Sequence, residues 1–198
     1  DPNTVLAHEI EKWDETGTST VWVKVPQIDA GSTVDYIWMY YNNSDWQHLH
    51  YLNCSSMVTG DLDGNGKDEI IIDFGPKYGI WIYYNNSTWQ HLHYLNCVSM
   101  VTADLDGSGK DELIVDFGPN YGIWIYYDNA EWQHLHYLNA KHITKGDIDG
   151  NGKDDLIIDF GDPYGIWIYY NNSTWSKLHY LSPKSITTGD LDGNGKDD

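Results

Sequence analysis

The sequence is short of basic residues, long apolar runs and helical periodicity, and each shortage excludes something. It contains 11 lysines and arginines against 30 aspartates and glutamates, with no basic cluster, so we expect no nucleic-acid partner. No apolar run approaches the length of a membrane-spanning helix, so we expect no membrane insertion. No stretch of useful length shows the period of an amphipathic helix, which leaves strands as the main element.

What the sequence does contain is an acidic loop of nine residues, written four times at a constant interval of 43 residues. The copies are DLDGNGKDE from Asp61, DLDGSGKDE from Asp104, DIDGNGKDD from Asp147 and DLDGNGKDD from Asp190. Oxygen-bearing side chains occupy positions 1, 3, 5 and 9 of each loop, and glycines at positions 4 and 6 permit a sharp turn. Hard oxygen ligands favour a hard cation, so the loops predict up to four bound Ca²⁺ ions.

The acidity of the chain is concentrated in these loops. Each loop holds four carboxylates and one lysine, so the four loops supply −12 of the net charge of −19. Bound Ca²⁺ ions would offset most of this charge, which makes the acidity a property of metal sites rather than of a solvated acidic face. Clustered carboxylates without a cation repel one another, so we expect metal removal to loosen the fold.

The segments between the loops predict four short antiparallel strands in each repeat. In the first repeat these are 69–74, 80–84 and 89–95, separated by turn residues, and then 99–102 before the next loop. Four such strands in about forty residues, repeated along the chain, are typical of a propeller blade. An EF-hand or dockerin array would need a helix after each loop, whereas a β-branched strand follows here.

Counting the strands predicts an all-β, four-bladed β-propeller of 43-residue repeats. Two strands of the repeat occur four times, but the strand after the loop occurs only three times because the sequence ends at Asp198. An N-terminal strand, Thr20 to Val25, can fill this vacancy, close the last blade and remove its open edges. The predicted domains are therefore a leader, 1–19, and the propeller, 20–198. A fragment of a longer propeller is the alternative.

The loops, three of them followed by a strand and Phe-Gly, resemble the FG-GAP and VCBS-like repeats of integrin α-subunit propellers and prokaryotic surface proteins. The resemblance covers roughly residues 36–198. In that family, positions 1, 3, 5 and 9 and the main-chain oxygen of position 7 bind calcium. Carried onto this chain, the resemblance implies four ligand sets: Asp61, Asp63, Asn65, Lys67 and Glu69; Asp104, Asp106, Ser108, Lys110 and Glu112; Asp147, Asp149, Asn151, Lys153 and Asp155; Asp190, Asp192, Asn194, Lys196 and Asp198. Ser108 is a weaker ligand than Asn, and Asp198 is the final residue, so the second and fourth loops depart from the pattern.

The location predicted for the protein is extracellular, at a cell surface. The first forty residues, especially 8–13 and 22–26, resemble the end of an uncharacterised domain of prokaryotic surface proteins. The chain starts at Asp1 without a charged and apolar leader, as expected of a mature or trimmed product. Calcium loops and four Asn-x-Ser/Thr sequons fit the same setting, the sequons being at Asn42, Asn53, Asn86 and Asn172.

Two further patterns leave alternatives open. Cys54 and Cys97 lie 43 residues apart and so occupy equivalent places in successive repeats. They form either a disulfide or two inert buried thiols. His-x-His pairs recur on the third strand of the repeat, and alternate residues share a strand face, as a transition-metal site requires. The fourth repeat replaces the first histidine with Lys177, which favours surface or inter-blade packing instead.

The sequence does not predict an enzyme. Asp73, Asp116 and Asp159 recur in Asp-Phe-Gly without a partner acid, nucleophile or base, and near-identical repeats are poor places for one unique active site. The leading prediction is a non-catalytic, calcium-stabilised structural or adhesive propeller module. It would form a filament if the N-terminal strand exchanged into a neighbouring copy. The alternatives are a lectin that stacks glycans on exposed Trp and Tyr rings, and an accessory domain of a polysaccharide-active enzyme.

Overall fold

The computed structural model describes residues 49–198 and, before them, the backbone of four short strands. These strands are β1 (His8–Lys12), β2 (Thr20–Val23), β3 (Met39–Tyr41) and β4 (Asp45–Gln47). The chain divides into two compact units, 1–53 and 54–198. Among the described residues every regular element is a strand, so the predicted all-β class is confirmed. No helix in this part of the chain is long and apolar enough to cross a membrane.

The unit 54–198 contains three four-stranded antiparallel sheets, each formed by consecutive strands. The first sheet contains β5 (Ser56–Gly60), β6 (Glu69–Asp73), β7 (Ile80–Tyr84) and β8 (Thr88–His93). The second sheet contains β9 (Ser99–Ala103), β10 (Glu112–Asp116), β11 (Ile123–Tyr127) and β12 (Glu131–His136). The third sheet contains β13 (His142–Gly146), β14 (Asp155–Asp159), β15 (Ile166–Tyr170) and β16 (Thr174–His179).

Local sequence explains why each repeat forms these strands. The second strand of every sheet is a β-branched and aliphatic run that is buried along its whole length, as in β6. The hairpin between β7 and β8 turns at Asn85 and Asn86, whose φ angles are +49° and +54°. Positive φ at both central residues is what a type I′ turn requires, and Asn tolerates it better than most residues do.

The three sheets pack against one another in sequence order. One buried cluster lies between the first and second sheets and includes Ile71, Ile82 and Leu113. An equivalent cluster lies between the second and third sheets and includes Ile114 and Leu156. The first strands, β5, β9 and β13, are neighbours across these interfaces. The described residues thus form three blade-like sheets, and closure into a four-bladed ring stays a prediction.

The fourth repeat contains its acidic loop but no assigned strand, since residues 183–198 are irregular. Leu191 of this loop is 86% exposed, whereas the equivalent Leu62 and Leu105 are buried in the clusters between sheets. A fourth sheet packed against the third would bury Leu191. The described residues do not contain such a sheet.

The N-terminal strand pairs with a neighbour that the sequence did not predict. In the structure β2 pairs with β1, with Glu9 opposite Trp22, and β3 pairs with β4 in a separate sheet. A hairpin with its sequence neighbour closes a short loop, which costs less conformational entropy than pairing with the far end of the chain. The predicted leader, 1–19, therefore contains strand β1. Closure of the last blade by Thr20 to Val25 stays a prediction. Residues 24 and 25 of the predicted strand lie outside the described residues, as does the predicted boundary after residue 19.

Candidate metal centres and inter-sheet clefts

The first three acidic loops connect the first and second strands of their sheets, and all four loops are organised by their first aspartate. In the first loop, Asp61 Oδ1 accepts a hydrogen bond from Gly64 N at 2.8 Å, and Asp61 Oδ2 accepts one from Gly66 N at 2.7 Å. Both glycines have positive φ, +77° and +81°, which wraps their N–H groups around the carboxylate. The same bonds recur at Asp104, Asp147 and Asp190.

In every loop, carboxylates from positions 1, 3 and 9 converge. One oxygen from each of the three side chains lies within 4.8 Å of the other two. The four clusters are Asp61, Asp63 and Glu69; Asp104, Asp106 and Glu112; Asp147, Asp149 and Asp155; Asp190, Asp192 and Asp198. All twelve residues are among the predicted ligands. Three carboxylates in so small a space form a hard, all-oxygen site of the kind that suits calcium.

Unpartnered carboxylate oxygens show that three of these clusters fit a cation. Glu69 and Glu112 are both 0% exposed. Each uses one oxygen to accept a backbone N–H, from Leu62 at 3.1 Å and from Leu105 at 2.9 Å. The other oxygen, Oε1, is buried and has no hydrogen-bond partner, and Asp149 Oδ1 is in the same state in the third loop. A buried carboxylate oxygen without a donor is costly, and a bound cation would satisfy it.

The raised pKa values of the buried carboxylates also agree with a site that fits a cation. Burial is the main cause that raises the pKa of Glu112 to about 7, and neighbouring Asp106 and Asp104 add to it. Burial also raises the pKa of Glu69 and Asp155, with repulsion from another carboxylate of the same loop as a further cause. A divalent cation would reverse this electrostatic effect, because it stabilises the ionised carboxylates that burial and repulsion disfavour.

The two loops that depart from the sequence pattern form the same cluster. In the second loop, Ser108 Oγ accepts a hydrogen bond from Lys110 N at 3.3 Å, while Asn151 Oδ1 accepts the equivalent bond from Lys153 N at 2.8 Å. The fourth loop differs in exposure, because all three of its carboxylates are exposed. The ligand roles predicted for position 5 and for the position-7 main-chain oxygens stay predictions. Those residues are Asn65, Lys67, Ser108, Lys110, Asn151, Lys153, Asn194 and Lys196.

Residues of the hairpin turns also reach the clusters, and the sequence analysis missed them. Asn85 Nδ2 donates to Asp63 Oδ2 at 3.1 Å, and Asn171 Nδ2 donates to Asp149 Oδ2 at 2.7 Å. The second repeat has Asp128 at this place, whose negative charge is one of the causes that raise the pKa of Glu112. The signal in the sequence was an Asn or Asp at a fixed distance after each loop. The sequence analysis interpreted this Asn or Asp only as a turn residue.

A second feature is an aromatic cleft of about 300 Å³ between the first and second sheets. It is lined by His93, Leu95, Phe117, Tyr121, Trp124 and Trp132. The His93 ring packs at 4.6 Å from Phe117 and 5.5 Å from Trp132. The same contacts recur one repeat later, where the His136 ring lies 4.5 Å from Phe160 and 5.5 Å from Trp175. His93 and His136 thus pack between neighbouring sheets, which is one of the two roles, surface or packing, expected of the His-x-His pairs.

The cleft offers a neutral imidazole and exposed rings. Burial, and secondarily His91, lowers the pKa of His93. Leu95 N donates to His93 Nδ1 at 3.1 Å, so the proton of the neutral ring is on Nε2. In the first and second sheets a Trp, a His and a Tyr ring contact one another, as in the second sheet, where the Trp124 ring lies 4.9 Å from the His134 ring and Tyr137 is 85% exposed. Among residues 49–198, no metal-capable cluster includes a histidine.

The Asp-Phe-Gly aspartates are structural. Asp73 and Asp116 are 0% exposed, and each accepts a backbone N–H from the following glycine at 2.7 Å. The other oxygen of each carboxylate accepts a backbone N–H from the linker to the next sheet. Cys97 N donates to Asp73 at 2.9 Å, and Ala140 N donates to Asp116 at 2.7 Å. Their carboxylates therefore tie sheet to linker and are not presented to solvent.

Both cysteines are free thiols in the structure, so the disulfide alternative is not formed there. Cys97 is buried, and its Sγ donates to Asp73 Oδ2 at 3.4 Å. Burial, with the Asp73 charge as a further cause, raises the pKa of the Cys97 thiol to about 12. Burial also raises the pKa of Cys54, which is half-buried. Thiols with raised pKa values are poor nucleophiles, in agreement with the inert alternative.

Comparisons with known proteins find one family match and a likeness to a solved structure. Residues 1–51 match a family described as a domain of unknown function, DUF2341, in agreement with the resemblance of the first forty residues to an uncharacterised domain. No curated protein matches the chain. A solved lectin structure from Agrocybe aegerita, described as recognising non-reducing terminal N-acetylglucosamine, is similar with 20% identity and a TM-score of 0.51. The similarity covers 71% of this chain and 44% of the lectin chain, so this chain spans less than half of that lectin, and at this identity the likeness concerns the fold.

Proposed function

We propose that the chain is a non-catalytic, calcium-stabilised adhesive module that acts outside the cell by binding carbohydrate. The observation that carries the proposal is the aromatic cleft between sheets, which combines Trp124 and Trp132 with the neutral imidazole of His93. Flat rings suit the apolar faces of sugar rings, while a few placed polar groups fix orientation. The fold likeness to a lectin supports the same proposal.

The size and repetition of the cleft narrow the ligand class. A volume of about 300 Å³ lies at the small end of ligand pockets, which favours one sugar residue over a long oligosaccharide. His93 Nε2–H is a donor for a hydroxyl or carbonyl oxygen of that sugar. Equivalent ring contacts at His136 indicate a second cleft, and two weak sites on one chain would give avidity on a surface coated with glycans.

In this proposal the calcium loops have a structural role. They lie at the connection between the first and second strands of each sheet, whereas the cleft is lined by the third and fourth strands and the segments beside them. The buried, unpartnered oxygens of Glu69 and Glu112 support cation binding. The ion would stabilise each sheet without contacting the sugar.

The test is glycan binding by the calcium-loaded protein, first on a glycan array and then by calorimetry with the best monosaccharide. Trp124→Ala combined with Trp167→Ala, the equivalent tryptophan one repeat later, should reduce the affinity for the monosaccharide about fivefold, since stacking on one ring contributes roughly 1 kcal/mol at each cleft. Tyr180→Ala is the matched control, because Tyr180 is an exposed ring after the last described strand. Absence of binding to every glycan by the folded wild-type protein would contradict the proposal.

A further inference from the structure

Successive acidic loops are hydrogen-bonded to one another through residues that the sequence analysis left unassigned. Position 8 of the second, third and fourth loops is an aspartate whose Oδ2 accepts the backbone N–H of the first aspartate of the preceding loop. The three bonds are Asp61 N to Asp111 at 3.0 Å, Asp104 N to Asp154 at 3.1 Å and Asp147 N to Asp197 at 2.9 Å.

Each of these contacts is reciprocal. The backbone N–H of the position-8 aspartate donates to the carbonyl oxygen of the same first aspartate, at 2.9 Å in all three cases. The carboxylate of Asp61 belongs to the first metal cluster, and Asp111 is joined by one peptide bond to Glu112 of the second cluster. The pair of bonds therefore connects a ligand of one site to a ligand of the next.

Close packing reinforces the contact between loops. The residue before Asp61 is Gly60, where a Cβ would lie 2.7 Å from Asp111 Oδ2, so the aspartate approaches the backbone closely. The side chain of Lys110 in the second loop lies over Gly64 of the first loop. A Cβ added to Gly64 would be 2.9 Å from Lys110 Cγ. At the third interface, Lys196 Nζ donates to the carbonyl oxygen of Asp149 at 2.7 Å.

We infer that Asp111, Asp154 and Asp197 are positioning residues that couple neighbouring calcium sites, so that the loops fill as a linked array rather than independently. The inference rests on the proposed calcium sites. A cation that fixes the first aspartate of one loop also fixes the backbone to which position 8 of the next loop is bonded. The next cluster is then closer to its binding geometry, and its ion is bound with a smaller ordering cost. Position 8 supplies no oxygen to the clusters, so its effect acts through the ligands beside it.

Calcium titration of the full chain by calorimetry, after removal of metal by chelator, tests the coupling. The wild-type protein should bind with a Hill coefficient above unity. Asp111→Ala keeps all twelve cluster carboxylates but removes the acceptor between the first and second loops. It should lower the affinity of these two sites at least about fivefold and reduce the Hill coefficient.

Two matched variants separate the hydrogen bond from the charge. Asp68→Ala removes the same charge from position 8 of the first loop, which no acidic loop precedes in the sequence, so it should leave cooperativity unchanged. Asp111→Asn removes the charge but keeps an acceptor oxygen, so it should restore most of the cooperativity. If Asp111→Ala does not fold without metal, the comparison of Asp111→Asn with Asp68→Asn still tests the inference, because the asparagine at 111 should preserve cooperativity.

The outcomes distinguish the coupling between sites from the proposed calcium sites on which it depends. Independent wild-type sites, equal effects of Asp68→Ala and Asp111→Ala, or loss of cooperativity in Asp111→Asn would overturn the coupling and leave the calcium sites in place. Absence of calcium binding by folded wild-type protein at millimolar concentration would overturn the sites themselves.

Discussion

Glu112 illustrates at the scale of one residue how a ligand position is maintained. Its side chain is 0% exposed, one oxygen accepts the N–H of Leu105, and the other has no partner. The fold therefore keeps a carboxylate where water cannot solvate it, next to Asp104 and Asp106. A buried carboxylate without a cation is destabilising, which supports the proposed calcium site.

Replacing Glu112 with glutamine should have opposite effects on stability in chelator and in calcium. In chelator, Glu112→Gln removes a buried charge, so the free energy of unfolding should equal or exceed that of the wild type. In calcium the variant should lose the stabilisation from one site, about 2.7 kcal/mol at 100 times the dissociation constant. Urea unfolding under both conditions measures the difference. Glu131→Gln is the exposed control, and an equal response of both variants to calcium would contradict the role of Glu112.

A pH effect should arise from Asp116, which lies outside the metal clusters. Burial raises its pKa above the ordinary value of 3.8 in the folded protein. The folded state therefore binds the proton more tightly than the unfolded state, and this contribution to stability is lost as pH rises through the folded-state pKa. The free energy of unfolding of wild type minus that of Asp116→Asn should fall as pH rises from 4 through that pKa. Urea unfolding at several pH values checks it, and a difference that stays constant or rises would contradict the sign.

At the scale of the element, a glycine allows two neighbouring strands of the third sheet to approach closely. Gly165 precedes β15, where the pairing with β16 shifts by one residue between Ile166 and Trp167. Its φ is +75°, and a Cβ would lie 2.2 Å from the carbonyl oxygen of His179 on β16. Only glycine allows the two backbones to approach this closely.

Gly165→Ala should therefore destabilise far more than Gly161→Ala in the same turn. Gly161 has nearly the same φ, +73°, but a Cβ there would meet nothing within 4 Å. We expect roughly 1–2 kcal/mol for the left-handed backbone alone at Gly161, and at least about 3 kcal/mol at Gly165, where a backbone clash is added. Denaturant unfolding of both variants gives the comparison, and equal losses would show that the clash relaxes without cost.

For the unit 54–198 as a whole, contacts between repeats decide how the sheets are joined. The hydroxyl of Tyr84 donates to Asn129 Oδ1 of the second sheet, and the hydroxyl of Tyr127 donates to Asn172 Oδ1 of the third. Both acceptors lie in the turn between the third and fourth strands of the neighbouring sheet. Tyr170 is the third copy of this tyrosine, and the structure gives it no such bond within the described residues.

Removing these hydroxyls should weaken the interfaces and leave the sheets intact. Tyr84→Phe and Tyr127→Phe should each lower the free energy of unfolding by about 1 kcal/mol, since each leaves an amide oxygen without its donor. Tyr170→Phe should be neutral. Thermal unfolding of the three variants measures the effect, and an equal loss at Tyr170 would show that the hydroxyl acts within its own sheet.

The sequence predicted the repeat well because its signals are local. The strands after the loops, the Asn-Asn turns and the convergence of the carboxylates at positions 1, 3 and 9 all depend on side-chain pattern within a few residues. The same pattern did not predict that β2 pairs with β1, or that Asn85 reaches Asp63. Those contacts depend on where the chain returns after a turn, which strand patterning does not determine.

By itself the sequence determined an all-β chain built from 43-residue repeats, each with an acidic loop whose carboxylates converge. Glycine conformation, β-branched runs and carboxylate spacing are sufficient for this because they act over one turn or one strand. Only the tertiary structure decided that Asp111 bonds to Asp61 fifty residues earlier, and that aromatic rings of two sheets enclose a cleft. Such contacts exist only once the sheets pack, because packing brings residues from different repeats to hydrogen-bonding distance.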